Sequence, residues 1–368
     1  MLAVQEYLQT KTFDDLTAEL GIVVKRHDTL PLAILNYDQI ESPKTHPVVR
    51  ECRALTLHTE TKAVVAKSFN RFFNWGEVAD EMKLFDFSDF GIQSKEDGSL
   101  VVIYNFEGKW MANTRGSFAT DKMQAVDITW QQGFCKAMNV SSLQDLSLPT
   151  DLTYICEFCS PWNKVVRRYE KPVMYILTAF RGTEELSAEL APQVFRSWAY
   201  FQRPTYYSFK SIEEVQAFLH EQAAADPTFE GVVLRDKNNQ RWKVKSATYL
   251  GLHKMRGEGD NLFHPKHLLP FVMAGEESEL LTYFPEVTEQ FYKLKCDVQA
   301  EYIRLLETWA EHKGIEEQKE FALAIRNKTP FTSLLFNVRK HAGKDQTVAD
   351  LKREWRDAES MILKWLKA

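Results

Sequence analysis

The sequence is poor in several features that define special classes of protein. Its 368 residues include only 5 Cys, 15 Gly and 13 Pro, which excludes a disulfide scaffold, a collagen and a Gly/Pro-rich disordered chain. The longest apolar stretch, around Pro172 to Phe180, is far shorter than the ~18–20 residues of a membrane helix. The amino terminus lacks a basic start followed by an apolar core. We therefore expect no membrane attachment, a cytoplasmic location and reduced cysteines.

An excess of positive charge is also missing. The formal net charge is −5, from 51 acids and 46 bases, which opposes a protein that coats nucleic acid by bulk electrostatics. Contact with a polyanion must then be local. The bases between Arg235 and Arg256 form one such cluster, with Asp236 as the single acid, although a solvated basic face has the same composition.

What remains is an ordinary globular composition, 44% hydrophobic and 26% charged, in a chain long enough for two or three domains. Short β segments separated by turns dominate from about Leu30 to Lys254; they are LAILNY, CRALTLHT, AVVAKSF, LVVIYNF, LTYICEF, VMYILTAF, GVVLRD and RWKVKS. Helical spacing of apolar residues occurs within this region at 117–138 and 211–224. The pattern predicts an α+β domain with antiparallel sheets.

The character of the sequence changes after about Met255. Apolar residues from Phe291 to Trp309 fall on one helical face, and the segment from Val348 to Lys367 repeats the pattern. We therefore predict two domains, a sheet-rich one over residues 1–256 and an all-helical one over residues 257–368.

The sharpest local signal is SKEDGSLVVIY, in which Lys95 precedes Asp97-Gly98 and a strong strand. A plain turn explains the Asp-Gly pair equally well. A lysine at this place is a candidate nucleophile if burial and neighbouring cations disfavour its ammonium form.

Such cations are present in RWKVKS. Alternation along a strand places Lys243 and Lys245 on one face, about 7 Å apart, as in a phosphate clamp. An exposed edge strand with lysines that prevent aggregation has the same pattern. Glu230 lies just upstream, beside a glycine at the start of a strand, and is either a carboxylate near a metal or an exposed loop acid.

Three further positions carry charge within apolar runs. Glu157 follows Ile155 in an apolar strand, where a carboxylate is unfavourable unless it is paired or binds a ligand. Its neighbours Cys156 and Cys159 lack a second Cys or His pair, so we interpret them as core residues rather than zinc ligands. Arg53 and Arg71, taken alone, are typical of surface or salt-bridged arginines.

Taken together and in order, these segments resemble the covalent nucleotidyltransferases, and most closely the bacteriophage-type RNA ligase 1 family. The resemblance covers nearly the whole chain. Its elements are Asn36-Tyr37, ECR at 51–53, FFN at 72–74, KEDGS at 95–99, TRGS at 114–117, CEF at 156–158, EGVV at 230–233 and KVK at 243–245. The resemblance implies an ATP-grasp-like nucleotidyltransferase domain followed by a helical domain with a role in RNA specificity.

The resemblance also implies roles for individual residues. Lys95 would attack ATP, and Gly98 would lie at the nucleotide within the same motif. The phosphates would be held by Arg53, Arg71, Lys243 and Lys245. Glu157 would bind the ribose, with Arg115 nearby, and Tyr37 or Phe73 would pack against the nucleotide. Glu230 would lie close to Mg²⁺, or Mn²⁺, and Glu276 to Glu279 align loosely with metal-associated acids of the helical domain. Arg71 departs from the family pattern, which has lysine there.

The implied activity is an ATP-dependent RNA ligase that joins a 5′-phosphate to a 3′-hydroxyl through lysyl-AMP and RNA-adenylate, in RNA or tRNA repair. A phage-encoded enzyme would act in the host-cell cytoplasm. The alternatives are a catalytically inert RNA-binding protein on the same fold, or another polynucleotide ligase or capping enzyme. DNA ligases and capping enzymes usually add an all-β OB-fold domain. Residues 257–368 lack an all-β pattern, which argues against these two classes.

Overall fold

The computed structural model describes residues 1–39, 41–123, 126–163, 167, 169–186, 199–226, 228–246, 264–275, 277, 280–281, 287–341 and 348–367. Contacts divide the chain into two compact units, residues 1–250 and 251–368. The domain boundary predicted between residues 256 and 257 lies outside the described residues. None of the helices in the described ranges is long and apolar enough to cross a membrane.

The first unit contains every strand of the described chain. The strands are β1 (Ile22–Arg26), β2 (Leu32–Tyr37), β3 (Arg53–His58), β4 (Val64–Ala66), β5 (Phe73–Asn74), β6 (Phe90–Ser94), β7 (Ser99–Phe106), β8 (Lys109–Asn113), β9 (Leu152–Cys159), β10 (Val173–Arg181), β11 (Glu184–Glu185), β12 (Tyr206–Tyr207), β13 (Gly231–Asp236) and β14 (Arg241–Lys245). They form three sheets, ordered β1-β2-β3-β4, β11-β10-β9-β7-β8 and β12-β6-β13-β14-β5. The pairing of β14 with β5 is parallel, and the other pairings are antiparallel.

Among the described residues, the helices of the first unit are α1 (Ala3–Tyr7), α2 (Phe13–Leu20), α3 (Pro47–Glu51), α4 (Ala79–Met82), α5 (Trp130–Met138) and α6 (Ile212–Ala225), with a short 3₁₀ turn at Leu143–Asp145. Those of the second unit are α7 (Pro265–Ala274), α8 (Thr288–His312), α9 (Gln318–Ala324), α10 (Thr332–His341), α11 (Val348–Arg356) and α12 (Glu359–Trp365). Antiparallel sheets and a helical second unit confirm the predicted α+β class.

All eight predicted β segments contain a strand, and α6 confirms the helix predicted over 211–224. The helix predicted over 117–138 is wrong in its first half, because α5 begins only at Trp130. Thr129 and Gln132 form a capping box that starts the helix there. Phe118 and Lys122 instead form isolated bridges to other residues, although the apolar side chains of this segment still face the core.

In the second unit, α8 confirms the long amphipathic helix, whose buried face includes Phe291, Leu305 and Trp309. The pattern over 348–367 divides into α11 and α12 instead of forming one helix. The bend occurs at Ala358, whose N–H bonds to the carbonyl of Trp355, three residues back. Through this bend both Ala358 and Ile362 become buried, at 3% and 0% exposure.

The second and third sheets are joined where β6 continues into β7. The second sheet packs its outer face on α5, around Phe134 and Phe158. The third sheet packs on α6, around Val215 and Trp242. The short connection between β6 and β7 contains Lys95, so this lysine lies at the passage from one sheet to the other.

Candidate active site

Lys95 is fixed by its backbone and paired through its side chain. Its N–H donates a hydrogen bond to the carbonyl of Gly231, 2.9 Å away, which ties the connection to β13. Its Nζ lies 2.8 Å from Oε1 of Glu230, and 21% of the lysine side chain is exposed. The nucleophile candidate therefore forms an ion pair that solvent can still reach.

Two further residues of the KEDGS turn, Asp97 and Gly98, are fixed by contacts with Arg167 and Phe158. The backbone N–H of Arg167 donates a 2.6 Å hydrogen bond to Oδ2 of Asp97. A Cβ on Gly98 would lie 2.3 Å from the carbonyl oxygen of Phe158, so only glycine allows β7 to approach β9 this closely. These contacts restrict the turn and present Lys95 in one position.

Glu230 is a buried acid with one free oxygen. It is 5% exposed, and its Oε1 lies 3.8 Å from Nζ of Lys245 in addition to its contact with Lys95. Its Oε2 is buried and has no hydrogen-bond partner among the described residues. The interpretation as an exposed loop acid is thus wrong, and the site contains an unused buried acceptor.

The alternation predicted for β14 is present. Trp242 and Val244 are 2% exposed and lie in the core beside α6. Lys243 lies on the other face, with its Nζ 5.1 Å from the ring centroid of Phe72. Burial lowers the pKa of Lys243 to about 8, and the charges of Arg53 and Lys245 add to this effect. The amine of Lys243 is therefore close to its charge transition at neutral pH.

Arg53 is held between aromatic rings instead of at the surface. Its guanidinium carbon lies 4.8 Å from the ring centroid of Phe69 and 4.6 Å from that of Phe72. Burial lowers its pKa to about 10, so it remains a cation at neutral pH. Its Nε and Nη1 are buried without a hydrogen-bond partner in the described part of the chain. These donors are available to an anionic ligand.

Tyr37 is surrounded by cations. The guanidinium carbons of Arg71 and Arg115 lie 4.1 and 4.9 Å from its ring centroid. Burial opposes ionisation of the phenol, but the positive charges of Arg115 and Arg53, with smaller effects of Lys243 and Arg71, lower the pKa of Tyr37 to about 7. The field at this position is positive enough to overcome the desolvation of an anion.

Glu157 lies within β9, where its backbone pairs with Leu100 of β7 and with Tyr175 of β10. Burial raises its pKa to about 7, and Glu230 adds to the effect while Lys95 opposes it. Cys156 and Cys159, on either side, are free and fully buried, in agreement with the core interpretation.

Strand register separates the two phenylalanines of the FFN motif. Phe73 pairs with Trp242 and is 2% exposed in the same core cluster, so it shares the face of Trp242 rather than that of Lys243. Phe72, which the sequence analysis did not select, contacts both Arg53 and Lys243. Lys243 pairs with Asn74, and alternate residues of a strand share a face, so Phe72 lies on the face of Lys243. This alternation is the sequence signal that identifies Phe72.

The site is strongly cationic. It brings two acids, Glu157 and Glu230, together with six bases, which are Lys95, Lys243, Lys245, Arg53, Arg71 and Arg115. No group of three or more His, Cys, Asp or Glu residues in the described ranges is arranged to hold a metal ion. Of the loosely aligned acids in the second unit, Glu277 pairs with Lys295 at 2.9 Å, and Glu276 and Glu279 lie outside the described residues.

Similar proteins are found among protein families, individual proteins and solved structures. The family model of RNA ligases of the bacteriophage T4 RNA ligase 1 type matches residues 51–252. A protein of the Autographa californica nuclear polyhedrosis virus is 31% identical to this chain over 304 residues. Its name describes an inferred bifunctional polynucleotide kinase/RNA ligase. That match covers 78% of this chain and 42% of the viral protein, so the chain spans less than half the length of this relative.

The solved structures that match the chain include RNA ligases of low sequence identity. An archaeal ATP-dependent RNA ligase is 13% identical, with a TM-score of 0.49 and coverage of 100% of this chain and 99% of that chain. A Naegleria gruberi RNA ligase with PPi is 14% identical, with a TM-score of 0.41 and coverage of 68% and 70%. Because the family model matches more than half of the sequence, over residues 51–252, the chain belongs to the RNA ligase family of the bacteriophage T4 RNA ligase 1 type.

Proposed function

We propose that the chain is an ATP-dependent RNA ligase that joins an RNA 5′-phosphate to a 3′-hydroxyl, and that Lys95 carries the AMP. The observation that carries this proposal is the position of the Lys95 amine, 2.8 Å from Glu230 and within a cluster of cations. Few reactions require a lysine nucleophile surrounded by further lysines and arginines. Attack on a triphosphate is one of them, because its charge must be neutralised in the transition state.

In the first step Nζ of Lys95, after loss of its proton, forms a P–N bond to the α-phosphate, and the bond from that phosphorus to pyrophosphate breaks. Lys243 and Lys245 extend from β14 on the side of Lys95 and stabilise the charge of the phosphoryl oxygens. Arg53 and Arg71 supply the buried donors without partners that the departing pyrophosphate requires. An oxygen of the RNA 5′-phosphate then displaces Lys95, and the 3′-hydroxyl finally displaces AMP.

A divalent metal fits beside Glu230. The buried Oε2 of this residue has no partner among the described residues and is a suitable acceptor for a metal ion or for water bound to one. A single carboxylate suits Mg²⁺, which keeps several of its waters and takes further ligands from phosphates. Glu230 would hold the ion, which would supply positive charge to neutralise the phosphates.

Labelling with ATP tests the proposal directly. The protein is incubated with ATP labelled at the α-phosphate and with MgCl₂, or MnCl₂ in a parallel reaction, and the labelled protein is then given a 5′-phosphorylated RNA. We expect covalent label on the protein, transfer of that label to the RNA, and release of AMP as the ends are joined. A protein that binds the RNA but takes up no label would be the inert RNA-binding alternative.

The pKa of Glu157 gives a prediction about stability. Its pKa rises from 4.5 to about 7 in the folded protein, so the folded state loses stability as pH increases from 4.5 to 7. Glu157→Gln keeps the shape and removes this loss. We expect the variant to match wild type near pH 4.5 and to exceed it above pH 7 by on the order of 1–3 kcal/mol in the free energy of unfolding. Urea titrations at both pH values measure the difference, and a constant difference would contradict the assignment.

The helical second unit gives a prediction about RNA choice. The residues we assign to the ligase site all precede position 247, so a chain ending near residue 256 should still adenylylate Lys95. We propose that residues 257–368 select the RNA. The shortened chain should therefore lose the full-length preference between a nicked, structured RNA loop and a simple single strand. The measurement is the ratio of joining rates on the two substrates; an unchanged ratio would assign the second unit a purely structural role.

A further inference from the structure

A cavity of the first unit, which we call the Trp242 cavity, shares Arg71 with the cationic site. Its volume is about 300 Å³, and its lining residues include Arg50, Arg71 and Trp242 but neither Lys95 nor Glu230. Arg71 links the cavity to the site already described, because the same guanidinium stacks on Tyr37.

Three of the residues that line this cavity have a buried side-chain donor without a partner in the described chain. These donors are Nε of Arg50, Nη1 of Arg71 and Nε1 of Trp242. Arg71 and Trp242 are only 5% and 2% exposed. Buried donors are rarely left unpaired in a folded protein, and all three require an acceptor. A ligand with several oxygen acceptors satisfies them together.

The charges and side-chain types of the cavity wall indicate which class of ligand the cavity fits. The lining contains four bases, Arg50, Lys67, Arg71 and Arg241, against two acids, Glu81 and Glu185, which favours an anion. It also contains aromatic rings and amide side chains, namely Phe69, Phe72, Phe180, Asn70, Asn238, Asn239 and Gln240. Rings and amides suit the stacking and edge recognition of a base, which pyrophosphate does not have.

The proposed reaction requires an RNA phosphate opposite Lys95. Displacement at phosphorus occurs in line, so the group that displaces Lys95 from AMP approaches opposite the lysine, on the side that pyrophosphate has left. Arg71 belongs to both the Tyr37 cluster and the cavity wall, so the cavity adjoins the cationic site.

We propose that the Trp242 cavity binds the 5′-terminal nucleotide of the RNA strand that receives AMP, with Arg50 and Trp242 as donors to its phosphate. This inference rests on the proposed ligase function and adds the site of one RNA end. Pyrophosphate is the other anion that fits these donors, and the test distinguishes binding of pyrophosphate from binding of RNA.

The test uses the full-length protein and two variants that remove single donors. Trp242→Phe keeps an aromatic ring and loses Nε1–H. Arg50→Lys keeps the charge and the ion pair with Glu81, which is 3.0 Å long, and loses the Nε donor. Trp130→Phe and Arg181→Lys are matched controls, because neither residue lines the cavity. Urea unfolding establishes that each protein is folded.

Binding is measured by fluorescence anisotropy with a short single-stranded RNA that carries either a 5′-phosphate or a 5′-hydroxyl. We expect both cavity variants to bind the 5′-phosphorylated RNA about tenfold or more weakly, as for loss of a donor to a charged group. Binding of the 5′-hydroxyl RNA should not change. The pyrophosphate concentration that half-reverses adenylylation should also stay the same, and the controls should match wild type.

Equal losses for both RNAs, a loss confined to pyrophosphate, or no loss in either variant would each overturn the proposal. Because Arg50→Lys alters a residue at the cavity rim, it decides the matter even if Trp242→Phe does not fold. A wild-type protein that takes up no label from ATP would refute the ligase function, whereas the anisotropy measurements need no catalysis and test the RNA site separately.

Discussion

Lys95→Ala is expected to abolish covalent attachment of AMP and all joining of RNA from ATP. Lys95 is the residue whose amine meets Glu230 at 2.8 Å, at the crossing between the second and third sheets, whereas the amine of Lys245 lies 3.8 Å from the same oxygen. Loss of label below about one thousandth of wild type is therefore the expected size of the effect. Lys109→Ala, on the exposed edge of β8, is the matched control and should label normally.

Lys95→Arg should be as inactive as the alanine variant, although it keeps the positive charge beside Glu230. A guanidinium cannot be deprotonated under the conditions of the reaction, so it cannot form the P–N bond. The two variants together separate nucleophilicity from charge. Label retained by Lys95→Ala would show that another residue carries AMP, and activity in Lys95→Arg would show that only the charge matters.

Lys243→Met should reduce self-adenylylation by ~100-fold or more and should make the protein more stable. The first effect follows from removing a preorganised charge at the transition state. The second follows from the pKa of Lys243, which burial lowers to about 8. Because this value is below the ordinary one, the ammonium form disfavours folding below pH 8, and the penalty disappears above the ordinary pKa of 10.5.

The measurements are the rate of covalent labelling and the urea unfolding curve at pH 7 and at pH 10.5. We expect a gain on the order of 1–3 kcal/mol in the free energy of unfolding at pH 7, and little or none at the higher pH. Methionine has nearly the length of lysine, so the variant removes the contact of Nζ with the Phe72 ring while the volume of the side chain is largely preserved. A variant that is less stable at pH 7 but labels normally would assign Lys243 a structural role.

The strands of the sheets were predictable from the sequence because the residue pattern that identifies a strand lies within the strand itself. Alternation and β-branched or aromatic residues identify strands such as β7 and β9 before any pairing is known. The helix over 117–138 was extended too far because loop residues such as Met123 and Ile128 also face the core, and their spacing imitates a helical stripe. The capping box at Thr129 and Gln132 is the local signal that marks the true start.

The structure brings most of the residues selected from the sequence into one candidate site, but their arrangement was harder to predict. The spacing of the lysines on β14 gives their common face, and the motif order gives Lys95, Glu157 and Glu230. The environment of Arg53 depends on Phe69 and Phe72, which come from a segment with only two residues of regular strand. Contacts of this kind arise from tertiary packing, and no local periodicity encodes them.

The ion pair between Lys95 and Glu230 also has a consequence for the chemical survival of the protein. Lysine amines react over time with electrophilic metabolites such as aldehydes. In the free protein Nζ of Lys95 lies 2.8 Å from a carboxylate that is 5% exposed. A small neutral electrophile must displace this contact before it reaches the nitrogen. The residue that we propose to carry AMP is thereby shielded from damage between turnovers.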